Sequence, residues 1–174
     1  MIDRELLARL DAARVRFCLI GDRALAAHGC APRNGGVELL TVDEAALRSL
    51  FWADAQEPQV TLGQPGDAVL GRVRWAGIPN HELVVGSRDA MVFAVDTARQ
   101  HDDIGCRVAT PLGLVLLALT RGGPGSRADA VELIRAEEAK RDGRWHPKVA
   151  EHLRFLPEAG RQSWQLVLRD LDPH

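Results

Sequence analysis

The stretch FCLIGDRALAAHGCAPRNGGVELLTVD, residues 17–43, predicts the order of the first elements of the fold. VRFCLIG, residues 15–21, is rich in β-branched and aromatic residues and ends at a glycine, which is typical of a strand. DRALAAHG at 22–29 contains good helix formers and stops at Gly29, and the Pro, Asn and Gly of CAPRNGG indicate a loop. VELLTV at 37–42 then predicts a second strand.

The rest of the chain places strands early and helices late. Asp3 is suited to cap a first helix and Asp43 a helix over 44–55, whose Leu47, Leu50 and Phe51 share one face. Residues 68–77 and 81–86 predict a hairpin around GIPN. The remaining predicted elements are a helix over 88–100, a short strand at 106–111 and helices within 111–121, 127–143, 147–156 and 157–171. This pattern predicts an α+β fold, a small mixed sheet with helices packed on it. We expect an α/β core over 1–110 and a helical C-terminal part over 111–174, packed together as one domain.

Composition limits the classes of function. With 174 residues, 46% hydrophobic and 26% charged, the chain can bury a globular core. The net charge of -2 gives no overall attraction to nucleic acid. The N-terminus lacks the apolar run of a signal peptide, and LGLVLLAL at 112–119 is too short to span a bilayer, so we expect no export and no membrane partner. Cys18, Cys30 and Cys106 are isolated, which favours buried thiols in a reducing cytoplasm. Oligomeric state is left open.

The opening stretch resembles the minimal nucleotidyltransferase signature of the DNA polymerase beta-like superfamily, especially small bacterial members linked to abortive infection and toxin-antitoxin systems. In that family a strand ends in Gly-Gly or Gly-Ser, a helix ends in His-Gly, and Arg-x-Thr-x-Asp-x-Asp leads into the next strand. Here Gly21-Asp22, His28-Gly29 and Arg33 to Glu38 follow in the same order and at matching spacing. The resemblance extends weakly to about residue 140, through HELVV at 81–85.

The resemblance implies that Gly36 and Glu38 take the places of two metal-binding aspartates and that Glu82 takes the place of the third carboxylate. Strand alternation directs Gly36 and Glu38 to one face, but Gly36 has no side chain. Nucleotidyl transfer uses Mg²⁺ held by carboxylates against the triphosphate, at about 2.0–2.1 Å from its ligands. Glu38 and Glu82 are therefore the metal ligands and catalytic residues if the protein is active, with one Mg²⁺ between neighbouring strands.

The resemblance further implies that Gly21, Asp22 and Arg33 are the residues nearest the nucleotide phosphates. Asp22 brings a carboxylate to that position, which repels phosphate, whereas it is favourable as a helix N-cap. We therefore expect Asp22 to cap the helix. An Arg on the loop before the strand is suited to a phosphate, although an exposed loop Arg is the commoner case. His28 is more typical of a packing residue than of a catalytic base.

Later parts of the signature also differ from the family. The helix at 111–121 lacks the expected Lys, and Ser126 stands where the first Asp of Asp-x-x-Asp belongs, while Asp129 keeps the second. GGPG at 122–125 is interpreted as an interhelix turn. Arg72, Arg74 and Arg88 are interpreted as a solvated strand face, with a basic strip beside the cleft as the alternative, and Trp75 as core or rim.

The leading hypothesis is a nucleotidyltransferase-fold protein with a degraded metal and triphosphate site, which binds a nucleotide or RNA in the cleft, or a protein partner, without catalysis. The alternative is an active Mg²⁺-dependent nucleotidyltransferase that modifies protein or RNA through Glu38 and Glu82. It requires those carboxylates to converge at an open cleft, and it is disfavoured if they pack against Arg side chains. The third hypothesis is an unrelated α+β domain that pairs with another protein, with Trp164, Leu166, Val167 and Leu168 on a dimer face or covering the sheet.

Overall fold

The structure, a computed structural model, describes residues 2–33, 35–48, 52, 58–141 and 143–172. The strands are β1 (Phe17–Ile20), β2 (Val37–Thr41), β3 (Gln59–Leu62), β4 (Val69–Arg74), β5 (His81–Gly86), β6 (Arg99–His101) and β7 (Cys106–Val108). The helices are α1 (Arg4–Ala12), α2 (Gly21–Ala27), α3 (Asp89–Thr97), α4 (Pro111–Arg121), α5 (Gly123–Arg141), α6 (His146–Ala150) and α7 (Glu158–Leu171). Two 3-10 helices are Glu44–Leu47 and Leu153–Phe155. The predicted α+β class is confirmed.

The described strands form one mixed sheet of order β3-β4-β5-β2-β1-β7-β6. β1 pairs antiparallel with β2 and parallel with β7, and β2 pairs parallel with β5. All four residues of β1 are buried. A strand covered on both faces needs no polar alternation, which explains the unbroken apolar run FCLI. This topology places the end of β1 beside the starts of β2 and β5.

The helical C-terminal part shares the hydrophobic core of the sheet. Thr110 caps α4 by accepting a hydrogen bond from the backbone N–H of Gly113, and seven residues of this apolar helix are buried. A Cβ on Gly113 would lie 3.2 Å from Ala94 Cα, so α4 packs very closely on α3. A single core cluster runs from Ile2 to Val167. Among the described residues, no helix is both long and apolar enough to cross a membrane.

The most C-terminal helix, α7, packs inward. Trp164 and Val167 are buried, whereas Leu166 is 40% exposed on the opposite side. A Cβ on Gly160 would lie 3.3 Å from the backbone oxygen of Leu119, which shows that α7 closely approaches α4. Trp164 and Val167 are therefore buried where α7 packs on α4 and α5, and not on the sheet that they were considered to cover.

The helix predicted over residues 44–55 is wrong in its described part. Asp43 does cap the segment by accepting from the N–H of Ala45, but only one 3-10 turn, Glu44–Leu47, follows. Arg48 is already extended, with φ -91° and ψ 126°. Leu50 and Phe51, which were expected on the helical face, lie outside the described residues.

Other predicted elements need correction. The helix predicted over 147–156 is instead α6, His146–Ala150, followed by the separate 3-10 helix Leu153–Phe155. The connection before the hairpin contains the edge strand β3, whose mostly exposed residues give little burial signal. The helix predicted to reach residue 100 ends at Thr97, and Arg99–His101 instead pair with β7. Only Gly122 of the GGPG segment lies between the helices, with φ +69° and ψ -175°, because α5 begins at Gly123. The β4-β5 hairpin around GIPN is confirmed.

The three cysteines are buried and form no disulfide. Burial raises the pKa of Cys18 to about 12 and that of Cys30 and Cys106 to about 11. Thiols of such high pKa are poor nucleophiles at neutral pH, because the thiolate is the reactive form. Their buried, unpaired state agrees with the prediction that they act as small apolar residues.

A buried carboxylate lies near the C-terminal end of α5. Glu137 is 3% exposed and accepts hydrogen bonds from Lys140 Nζ at 2.8 Å and from Arg141 Nη2 at 3.0 Å. Burial by itself raises the pKa of Glu137, but the hydrogen bonds and charges of Lys140 and Arg141 outweigh it and hold the pKa below the ordinary 4.5. The charged form of Glu137 therefore stabilises the folded state.

Acidification is expected to destabilise the protein partly through Glu137. Because the folded state holds this carboxyl at a lowered pKa, its contribution is present above about pH 4.5 and is lost as the pH falls through the folded-state value. Urea unfolding between about pH 7 and about pH 3 should show a smaller loss of stability in Glu137→Gln than in the wild type. Glu151→Gln, at an exposed carboxylate directly after α6, is the matched control. Identical pH profiles for wild type and Glu137→Gln would contradict this role.

Candidate functional site

The starts of β2 and β5 form one side of an open cleft at the end of β1. Glu38 is the register partner of Ile20 in β1 and of Glu82 in β5. Residues paired across neighbouring strands project to the same face of a sheet, so the two predicted carboxylates lie side by side. A cavity of about 370 Å³ opens here, lined by Gly36, Val37, Glu38, Arg74, Asn80, His81 and Glu82. We call this cavity the cleft.

The Glu82 carboxylate is held by two arginines from β4. Arg74 donates to Glu82 Oε2 from Nε at 2.9 Å and from Nη2 at 2.7 Å, and Arg72 Nη1 donates to Oε1. Arg74 is the register partner of Glu82 across the antiparallel β4-β5 pair, which explains its reach. The Glu82 side chain is only 13% exposed. Both of its oxygens are therefore occupied within the protein.

The Glu38 carboxylate lies between the turn after β1 and the end of α4. Arg121 Nη2 donates to Glu38 Oε2 at 3.2 Å. On the other side, a Cβ built on Gly21 would lie 3.1 Å from Glu38 Cδ, and Gly21 has φ +69°. Gly21 thus supplies the left-handed turn and also the space that the carboxylate occupies. Glu38 covers the turn at which the resemblance places the nucleotide phosphates.

Gly36, which was expected to take the place of a metal-binding aspartate, is closed in by backbone. A Cβ on Gly36 would lie 2.7 Å from the carbonyl oxygen of Asn80, closer than real Cβ atoms approach. The same oxygen accepts a hydrogen bond of 2.7 Å from the N–H of Val37, so it is fixed in place. Gly36 is thus a packing requirement of the β2-β5 junction.

The interval between Arg33 and the cleft is one residue shorter than the family pattern. Arg-x-Thr-x-Asp-x-Asp places its aspartates four and six residues after the arginine, which here are Val37 and Leu39. Both are buried apolar residues. Gly36 and Glu38, which line the cleft, come three and five residues after Arg33. The expected match in spacing is therefore wrong between Arg33 and the cleft. Glu38 and Glu82 are assigned to the cleft because they are register partners in β2 and β5.

The predicted capping role of Asp22 is also wrong. Helix α2 begins at Gly21, and its N-cap is Ile20, without a side-chain cap. Asp22 lies within the first turn, where its charge is favourable to the helix dipole. Its carboxylate packs against Gly35, since a Cβ there would lie 2.2 Å from Asp22 Oδ2.

Arg33 is bound by acidic residues of α5. It donates to Asp129 through Nη1 and to Glu132 through Nη2 at 2.7 Å, and Asp22 Oδ1 lies 3.9 Å from Nη1. Glu132 also accepts from the N–H of Ala31 at 2.6 Å. The hydrogen bond to Asp129 and its charge raise the pKa of Arg33 further. Arg33 therefore joins its loop to α5 through ion pairs.

His28 belongs to a different cavity from Glu38 and Glu82. Its Nε2 lies 2.8 Å from the backbone oxygen of Ala109, and its ring meets that of His101 edge to face at 5.6 Å between centroids. Burial lowers the pKa of His28 from the ordinary 6.5, so the neutral ring is favoured. A neutral His bonded to a backbone carbonyl fits the packing interpretation.

The three arginines that were interpreted as a solvated strand face, Arg72, Arg74 and Arg88, all donate hydrogen bonds within the protein. Arg72 and Arg74 bind Glu82, and Arg88 donates to the backbone oxygen of Gly66. Trp75 is 3% exposed and packs edge to face on Trp52 at 5.3 Å. It is a core residue, as one of the two interpretations held, and it cannot offer a face for stacking a base.

The side chains of the cleft do not fit a Mg²⁺ ion well. Its two carboxylates are ion-paired with Arg72, Arg74 and Arg121. Within the described ranges, no group of three or more His, Cys, Asp or Glu side chains is placed to hold a metal ion. A cation entering between Glu38 and Glu82 would have to displace guanidinium groups of like charge.

The residues that sequence reasoning missed are the partners of the two carboxylates. Arg121 is the last residue of α4, the helix in which a Lys was expected from the resemblance. A cationic residue on that helix was the one feature of the sequence that could have indicated a partner for Glu38. The pairing of Arg74 with Glu82 follows from the hairpin register once the turn length is known. Asn80, with φ +63°, had no distinguishing signal beyond its place in the turn.

No protein-family model matches this chain, and no curated protein matches it at a significant level.

Proposed function

We propose that this protein has a nucleotidyltransferase-type fold with a degraded metal and triphosphate site, and that its role is binding or regulation without catalysis. The observation that carries the proposal is the double clamp on Glu82 by Arg72 and Arg74. Glu82 is one of the two carboxylates that were expected to hold a metal, and neither of its oxygens is free.

The electrostatics of the cleft support this proposal. Charge-assisted hydrogen bonds are worth about 1.5–3 kcal/mol each, although the exposure of Arg74 reduces that value here. A metal ion would have to overcome the clamp on Glu82, the bond from Arg121 to Glu38 and the loss of a ligand at Gly36. Each step opposes the octahedral geometry that Mg²⁺ requires.

The arginines around the cleft indicate the kind of partner. Two carboxylates and one guanidinium group, that of Arg74, line the cleft, and Arg72 and Arg121 bind those carboxylates from outside the lining. A guanidinium group that exchanges its carboxylate partner for a ligand favours an anion. A nucleotide is an anion, and so is an acidic segment of a protein partner.

The alternative function is Mg²⁺-dependent nucleotide transfer to protein or RNA. It is favoured by one observation, the direct pairing of Glu38 with Glu82 beside a cavity of about 370 Å³. It would require a rearrangement that releases both carboxylates from their arginines. Glu38 and Glu82 contact Arg side chains, and such contacts were expected to argue against this alternative.

Incubation with Mg²⁺ and each radiolabelled NTP is expected to give no transfer of label to the protein, to added RNA or to other proteins. Calorimetry should show no Mg²⁺-dependent tightening of NTP binding, because the carboxylates remain paired with arginine. A double variant, Glu38→Gln with Glu82→Gln, serves as the matched control for contaminating activity.

Label transfer with release of pyrophosphate, abolished in the double Gln variant, would overturn the non-catalytic proposal and establish the alternative. NTP binding that is the same with and without Mg²⁺ would support a metal-independent binding role.

A further inference from the structure

A second cavity, of about 420 Å³, lies between α3, β6, the start of α4, the end of α5 and α6. We call it the basic pocket. Its volume falls in the range of small-molecule sites, about 300–1,000 Å³. It shares no lining residue with the cleft, so an argument about it does not depend on the function proposed above.

The basic pocket concentrates positive charge in a chain that is acidic overall. Arg99, Lys140, Arg141 and Lys148 line it, opposed by the single carboxylate of Glu137. With histidines neutral, these groups leave a net charge of +3, compared with -2 for the whole chain. A local excess of this size in a concave site raises the local concentration of anions.

Two of the four cations are available to a ligand. Lys140 and Arg141 bind Glu137, and Lys140 Nζ also donates to the backbone oxygen of His28 at 2.5 Å. Arg99 and Lys148 are exposed and make no side-chain hydrogen bond or ion pair within the described part of the chain. Lys140 and Arg141 are thus held in place by Glu137 and contribute positive charge to the lining, while Arg99 and Lys148 are free to contact an anion.

The other walls of the basic pocket are apolar and aromatic. Phe93, Val108, Leu112 and Trp145 contribute to its lining. Trp145 is 5% exposed, and its indole N–H is buried without a hydrogen-bond partner among the described residues.

We propose that the basic pocket binds a small phosphorylated molecule that carries an aromatic ring. A phosphate monoester, with close to two negative charges at neutral pH, matches Arg99 and Lys148 better than a single carboxylate does. The ring packs against Phe93, the partly exposed aromatic side chain of the lining, whereas Trp145 is too buried to offer its face. The polar and apolar halves of the lining thus correspond to two halves of one ligand.

Calorimetric titration of the full chain with phenyl phosphate, pyridoxal 5′-phosphate and nucleoside 5′-monophosphates tests this proposal. At least one of these probes is expected to bind with a Kd of about 100 μM or tighter at low salt. Replacing Arg99 and Lys148 together with Ala should weaken that binding about tenfold or more, because two charged contacts are lost. Inorganic phosphate and benzyl alcohol should each bind more weakly, because the first has no aromatic ring and the second has no phosphate group.

The matched control replaces two exposed arginines outside the cavity, Arg4 and Arg23, with Ala. This variant also loses two positive charges, and it should retain the wild-type Kd. The proposal is overturned if no aromatic phosphate binds, if both double variants weaken binding equally, or if inorganic phosphate binds as tightly as the aromatic probes. Because Glu38→Gln and Glu82→Gln leave this pocket untouched, their effect on NTP assays tests the cleft separately.

Discussion

Replacing Gly36 with Asp is expected to lower the free energy of unfolding by about 3 kcal/mol and to create no Mg²⁺ site. This substitution puts in the cleft the aspartate whose place Gly36 was expected to take. Its Cβ, however, would lie 2.7 Å from the Asn80 carbonyl oxygen, which belongs to the backbone and accepts from the Val37 N–H. The strand junction must open to admit the new side chain. Urea unfolding measures the destabilisation, and calorimetry with Mg²⁺ measures metal binding.

Gly125→Asp is the matched control for Gly36→Asp. A Cβ on Gly125 would meet nothing within 4 Å, and the residue lies in the first turn of α5, where a carboxylate is favourable. Its stability should stay within about 0.5 kcal/mol of the wild type. A Gly36→Asp variant as stable as wild type that binds Mg²⁺ tightly would show that a single substitution separates this cleft from a metal site.

Replacing Trp164 with Ala is expected to cost about 3–5 kcal/mol, the largest single effect we predict. Trp164 is 2% exposed and belongs to the core cluster that also contains Leu116 and Leu119 of α4. Its removal leaves a cavity under α7, because α4 and α7 already approach closely at Gly160 and cannot move much nearer. Urea and thermal unfolding should report one cooperative transition at lower stability.

Leu166→Ala provides the comparison within the same helix. Leu166 is 40% exposed, so its truncation should cost less than about 1 kcal/mol. If Trp164→Ala and Leu166→Ala had equal small costs, α7 would not be anchored on α4. If Trp164→Ala instead gave two separate transitions, the helical C-terminal part would unfold independently of the sheet.

Local signals in the sequence predicted the central elements. The apolar run of β1, the glycine after it and the hairpin around GIPN each depend on neighbouring residues, so periodicity and turn chemistry suffice. The edge strands β3 and β6 were missed because their residues are largely exposed, and an edge strand that buries few side chains leaves little pattern. The expected helix after Asp43 failed because a capping residue and good helix formers start a turn but do not ensure that it continues.

The candidate site was predicted in part. Glu38 and Glu82 were expected to share a face of neighbouring strands, and the register brings them together. Their partners were not expected, since Arg121 is 83 residues from Glu38 along the chain. Arg33 was considered for phosphate and instead binds α5, about one hundred residues further on, through Asp129 and Glu132.

The sequence by itself determined which segments become strands and helices around Gly21, Glu38 and Glu82, because those choices depend on side-chain periodicity and on turn residues close together in the chain. Only the tertiary structure decided which arginine binds each carboxylate and whether position 36 has room for a side chain. Ion pairs and close backbone approaches join residues from different elements, and their energies depend on distances of a few ångströms that no local pattern specifies.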